Sequence, residues 1–153
     1  MINGQGIGDV AKIRYGLFPM SFNGCEVISV CNAIEYCGKP KPVEEVARYM
    51  RRYAMVFGLF GCNPFRIGKA LEHFGVKNSR CDIKDAGKAF IISSWTGRPF
   101  LSTIHTVFCV REAGRIRVYN RYNGCTCERF YESPEKVFEN CRIIAIYELR
   151  IEN

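Results

Sequence analysis

Histidine is nearly absent: the 153 residues contain two, His73 and His105, and a single tryptophan, Trp95. Any chemistry that needs an imidazole has to use one of those two positions. No apolar run approaches the roughly 18–20 residues needed to cross a bilayer, so no membrane segment is expected. The opening residues, Met1-Ile2-Asn3-Gly4-Gln5-Gly6-Ile7-Gly8, lack both the basic and the apolar stretch of a secretory signal, and a cytoplasmic location is expected. There is no internal repeat and no low-complexity tract. The two-residue spacer of common zinc sites is also missing: Cys125-x-Cys127 would need further ligands, for which only Cys141 and His73 remain. Neither a metal nor a cofactor is expected.

Cysteine, by contrast, is abundant: nine, at positions 25, 31, 37, 62, 81, 109, 125, 127 and 141. Without a targeting segment these read as reduced thiols, several of them serving as small apolar core residues. The formal charge is +7, but Arg48, Arg51, Arg52, Arg111, Arg115, Arg117 and Arg121 are spread over a helix and a hairpin without a recognisable nucleic-acid motif. They read as a solvated basic face, and a nucleic-acid partner is not expected. Hydrophobic content of 48% with 24% charged residues fits one globular domain over 1–153, with 1–20 as a lead-in segment and one short strand near 13–18.

The chain is organised around Phe22-Asn23-Gly24-Cys25-Glu26-Val27-Ile28-Ser29-Val30-Cys31. An Asn-Gly turn delivers Cys25 to the first turn of a helix, 25–37, that is apolar nearly all round and therefore central and buried. Unpaired N–H groups and the positive end of the helix dipole favour a thiolate there, and the expectation is a Cys25 pKa lowered toward neutrality. Two further helices follow, 42–53 with a stripe of Val43, Val46, Ala47 and Met50, and one opened by Asn63-Pro64 and closed by Gly75. The second half reads as strands: 89–93, 104–111, 115–120 and 142–151, with a turn at Thr96-Gly97-Arg98-Pro99 and a short helix at 134–140. Helices first and an antiparallel sheet afterwards make an α+β fold.

His73 lies on a helix beside Leu71 and Phe74 and reads as a packing residue. His105 opens a strand. A hairpin centred near Ala113 pairs residue 105 with residue 121 and brings Asn120 beside His105, within one residue of register. An amide there can fix the imidazole tautomer and leave the other ring nitrogen for a sulfur. Asn123 is the second choice for that role. Trp95 and the Phe60-Gly61 loop are candidates to line a groove.

A cysteine opening the central helix, then helices, then a strand histidine with an Asn on its hairpin partner resembles the papain-like cysteine peptidases. The His-x-Val-Phe…Gly…Val-Tyr-Asn pattern of 105–120 is most similar to the bacteriocin double-glycine leader-peptidase branch and its stand-alone bacterial relatives. The resemblance covers about residues 13–150. It implies Cys25 as nucleophile, His105 as base, Asn120 as orienting residue and a peptide or protein substrate cleaved through a thioester. The glutamine that the family carries six residues before the cysteine is replaced by Pro19. Asn23 is the expected substitute in the oxyanion hole, with Gln5 as a weaker candidate. Two other readings are carried forward: an inactive papain-like domain that binds peptide or protein, and a basic nucleic-acid-binding module.

Overall fold

The structure is a computed structural model that describes residues 1–97 and 103–151. In chain order its strands and α-helices are β1 (Arg14–Tyr15), β2 (Phe18–Pro19), α1 (Met20–Asn23), α2 (Cys25–Tyr36), α3 (Val43–Met50), α4 (Ile67–His73), β3 (Asn78–Arg80), β4 (Ala89–Thr96), β5 (Thr103–Glu112), β6 (Arg115–Tyr119), β7 (Arg129–Tyr131), α5 (Pro134–Val137) and β8 (Arg142–Leu149). β1 and β2 form a small hairpin, and the other six strands make one antiparallel sheet in the order β3-β8-β4-β5-β6-β7. The α+β reading of the sequence is the observed class.

Each element follows from its local chemistry. Every residue of α2 from Cys25 to Ile34 is buried, as an all-round apolar helix requires. It packs on β4 and β5 on one side and on α3 and α4 on the other. α3 turns Val46, Ala47 and Met50 inward and keeps its first-turn Glu44 and Glu45 at the positive end of the helix. Asn63 accepts from the Phe65 N–H at 3.0 Å and Pro64 follows, so the expected helix start is present, as one 3-10 turn that leads into α4.

Alternation along the strands divides the core in two. Ile91, Phe108, Val110, Ala145 and Tyr147 face α2, α3 and α4. Phe90, Ile92, Val107, Cys109, Ile116, Val118 and Ile146 face the other way, against Val137 and Phe138. Burying each large aliphatic or aromatic side chain contributes about 1.5–3 kcal/mol.

The β5–β6 hairpin closes through Ala113 (φ 47°) and Gly114 (φ 77°), the positive-φ pair of a type I′ turn. Its ladder runs from Glu112↔Arg115 to Phe108↔Tyr119, one residue away from the expected register. The two-residue turn centre lies between 113 and 114 rather than on Ala113.

Several local expectations are corrected. Residues 20–23 form a helical turn that runs into α2, so Gly24 is a joint between two helices and not the second residue of an isolated Asn-Gly turn. The single lead-in strand is a two-strand hairpin. The helix expected over 42–53 is α-helical only through Met50 and ends in a 3-10 turn. β3 and β7, three residues each, carry no alternation long enough to read. The turn placed at 96–99 falls partly outside the described residues.

Candidate active site

Cys25 is the first residue of α2 and is 5% exposed. Its Sγ lies 3.3 Å from Glu26 Oε2 and 3.7 Å from the Ile104 carbonyl oxygen, and the Thr106 N–H also reaches it. Ile104 and Thr106 flank His105, so the sulfur stands against the β5 main chain at the histidine's own position. Burial pushes the thiol pKa well up, the Glu26 charge pushes it further, and the main-chain N–H groups offset only part of this. The expected lowering at a helix N-terminus is therefore overturned: desolvation and a carboxylate outweigh the dipole.

His105 is half-buried. Its side chain leaves β5 on the face of Val107 and Cys109 and meets the Phe138 ring edge-on, with centroids 6.1 Å apart. Nε2 lies 2.9 Å from the Asn120 carbonyl oxygen and 3.0 Å from that of Arg121. Both oxygens only accept, so Nε2 carries the proton and Nδ1 is left as the basic nitrogen. Burial, then the Arg121 charge, lowers the imidazole pKa from 6.5 to about 4. Among the described residues no hydrogen bond joins either ring nitrogen to the Cys25 sulfur, so the expected direct contact is not made. The sulfur comes from the α2 face of the sheet while the ring leaves the other face, and the two approach only at the strand.

Asn120 reaches His105 through its main chain and not through its amide. The left-handed backbone at Asn120 (φ 58°) turns its carbonyl toward the imidazole. The side chain is bound to Gln5: Asn120 Nδ2 donates to Gln5 Oε1 at 2.8 Å, and the Gln5 N–H donates to Asn120 Oδ1 at 3.0 Å. Gln5 Nε2 in turn donates to the Met20 carbonyl at 3.1 Å, which engages one of its two amide hydrogens. Asn123 donates to the Ser21 carbonyl at 3.5 Å and stands on the surface.

Asn23 is also spoken for. Its Nδ2 donates to the Tyr15 carbonyl at 3.1 Å and to the Gly58 carbonyl, while its buried Oδ1 has no partner. An amide with both hydrogens engaged has none left for an oxyanion, and the expected role is not supported by this geometry. His73 stacks on Tyr49 with centroids 3.6 Å apart, which is a packing role.

The residue that the sequence reading passed over is Glu26. It has no exposed surface; Oε2 faces the Cys25 thiol and Oε1 has no hydrogen-bond partner. Desolvation raises its pKa from 4.5 to about 7, with its own N–H and that of Cys62 pulling part of the way back. A signal was present: an acid inside a helix that is apolar on every side has no solvent face to occupy.

Over Cys25 and Glu26 opens a cavity of about 420 Å³, walled mainly by Phe22, Met55, Leu59, Phe60, Trp95 and Ile104. Trp95 and the Phe60-Gly61 loop line it, as read from the sequence. One wall is the 55–61 loop, closed by the Met55 N–H on the Gly61 carbonyl at 2.9 Å. Positive φ at Val56 (47°) and Phe57 (55°) holds this loop in a costly conformation that leaves Phe57 76% and Phe60 59% exposed. Among the described residues no group of three or more His, Cys, Asp or Glu stands in reach of one metal ion, and no helix is long and apolar enough to cross a membrane.

No family model matches the chain, and neither does any curated protein. One solved structure that it resembles is described as a double glycine motif protease from an AMS/PCAT transporter in complex with the leader peptide. That likeness has a TM-score of 0.56 at 16% identity and covers 84% of each chain. At this identity the match speaks for architecture alone: the chain has the fold of a papain-like cysteine peptidase.

Proposed function

We propose that this chain is a cysteine amide hydrolase acting on peptides, with Cys25 as nucleophile and His105 as a base of the cycle. The observation that carries the reading is the placement of the Cys25 sulfur: first turn of the central helix, floor of an apolar cavity, against the strand that bears His105. A papain-like fold puts its nucleophile at the head of the central helix, and a thioester formed there is within the cavity. Attack on the carbonyl, loss of the amine and hydrolysis of the thioester need one sulfur and a proton carrier. His105 qualifies as carrier because the Asn120 and Arg121 carbonyls fix Nε2–H and leave Nδ1 free to accept. The apolar walls favour a hydrophobic side chain next to the scissile bond. The protein of similar fold is seen with a leader peptide, which fits a peptide as the substrate class here.

The test is turnover of a fluorogenic peptide-amide library. Cys25→Ala should abolish hydrolysis, and His105→Ala should lower it by about 10²-fold or more. Undiminished hydrolysis in Cys25→Ala would refute the proposal.

A second reading has an observation of its own. Asn23 keeps both amide hydrogens on main-chain carbonyls, and Pro19 stands six residues before the cysteine. A papain-like domain without a side-chain oxyanion donor can hold peptide without cutting it. Peptide binding that survives Cys25→Ala, with no turnover in the parent protein, would establish that role.

A further inference from the structure

Among the described residues the carboxyl of Glu26 is the one ionisable side chain in hydrogen-bond contact with the sulfur, and the hydrolase chemistry above leaves it unused. We propose that Glu26 takes the Cys25 proton directly, so that the two residues work as a proton-sharing pair. The inference rests on Cys25 being the nucleophile and adds the identity of its first base.

Three features of the geometry support this. Oε2 is 3.3 Å from Sγ, a contact in which the thiol donates and the carboxylate accepts. Oε1 is buried without a hydrogen-bond partner, and the charge of the carboxylate is met only in part, by the Glu26 and Cys62 N–H groups. Gly61 lies directly over the group: a Cβ there would come within 2.8 Å of Oε2, so the main chain seals the carboxyl from solvent. The titratable groups that face Glu26 are Cys25 on its own helix, Tyr15 from β1 and Cys62 from the loop behind it. None of these is cationic, and among the described residues no positive side chain offsets the carboxylate.

Charge accounting then favours transfer to the carboxylate. Handing the thiol proton to an imidazole creates two new charges in a dry pocket. Moving it to an existing carboxylate leaves one negative charge, displaced by a few ångströms. Burial holds Glu26 near pKa 7, high enough to accept a proton from a thiol on its floor.

The steps balance. As the sulfur lone pair forms the S–C bond, Oε2 takes the thiol proton and the carbonyl π pair moves to oxygen. When the C–N bond breaks, the carboxylic acid returns that proton to the departing nitrogen, leaving a thioester and a free amine. Water then attacks the thioester, giving its proton to the Glu26 carboxylate. The C–S bond breaks, and the proton returns to sulfur.

The experiment is the pH dependence of Cys25 alkylation by iodoacetamide, located by peptide mass mapping, in the parent protein, Glu26→Gln and His105→Ala. In the parent the rate should rise with pH and level off near pH 7, where Glu26 ionises. Glu26→Gln should move that plateau upward by more than one pH unit and slow labelling at neutral pH about tenfold or more. His105→Ala should leave the plateau where it is. A Glu26→Gln protein that labels at neutral pH as fast as the parent, or faster, overturns the inference. So does a plateau that vanishes with His105. Infrared difference spectra of the parent keep the question decidable should Glu26→Gln not fold. A buried carboxylic-acid band should titrate with the same midpoint as the alkylation, and its absence overturns the inference. If Cys25 never reacts in preference to the other eight thiols, the hydrolase reading itself fails. Selective labelling that ignores Glu26→Gln removes only the role of Glu26.

Discussion

A carboxyl group with no exposed surface, one residue after Cys25, ties the stability of this protein to pH. The folded pKa of Glu26, about 7, lies above its ordinary 4.5. Below about pH 4.5 the group is protonated folded or unfolded and costs nothing; between there and pH 7 the folded state binds the extra proton, and stability is lost as pH rises. The full penalty is on the order of 3 kcal/mol. Urea unfolding should therefore show Glu26→Gln gaining stability relative to the parent as pH is raised from about 4.5 to about 7. His105 slopes the other way: its pKa drops from 6.5 to about 4, so stability is lost as pH falls through that window. Gly61 offers a second check. Its φ of 69° and the closeness of Glu26 Oε2 leave no room for a methyl group, and Gly61→Ala should cost about 1–3 kcal/mol in the same assay. At this scale Cys25 was legible because a thiol at a helix start carries its own signature. Glu26 was passed over, because a first-turn acid is ordinarily a solvated partner of the helix dipole, although the apolar helix around it left no solvent face.

Among the elements, the β5–β6 hairpin decides where the imidazole stands. Its turn places Ala113 at φ 47°, a conformation that Gly or Asn adopts more cheaply. Ala113→Gly should raise stability by roughly 0.4–1 kcal/mol, read from the thermal midpoint. At the far end of the hairpin, Asn120 joins β6 to the N-terminal segment through Gln5. Asn120→Ala should destabilise by about 1–3 kcal/mol, since it strands the buried Gln5 amide, and should loosen the carbonyl that holds His105. Asn120→Asp keeps an acceptor for the Gln5 N–H but sets a buried oxygen against Gln5 Oε1, and should destabilise as well. The turn and the pairing of 105 with the region of 120 were readable from alternation and from Glu112-Ala113-Gly114. What the pattern did not carry was the one-residue register, nor that the orienting group is a carbonyl: main-chain atoms leave no trace in residue identity. The Gln5–Asn120 pairing joins residues 115 positions apart, and no local pattern encodes it.

For the molecule as a whole, the layering follows from hydrophobic pattern: an all-apolar helix between amphipathic helices and a sheet whose two faces are both covered. That much could be read from periodicity. The cavity could be read only in part, through Trp95 and the Phe60-Gly61 loop, because its walls come from four separate places, Phe22, the 55–61 loop, Trp95 and Ile104, brought together by the fold. The central claim concerns its floor, that Cys25 attacks a peptide carbonyl. The most direct measurement is mass mapping after treatment with a peptide nitrile that carries a hydrophobic residue beside the warhead. A single thioimidate on Cys25, suppressed by Cys25→Ser and competed by unmodified peptide, is the predicted result. Adducts spread over the exposed thiols, led by Cys127, with Cys25 untouched, would contradict it.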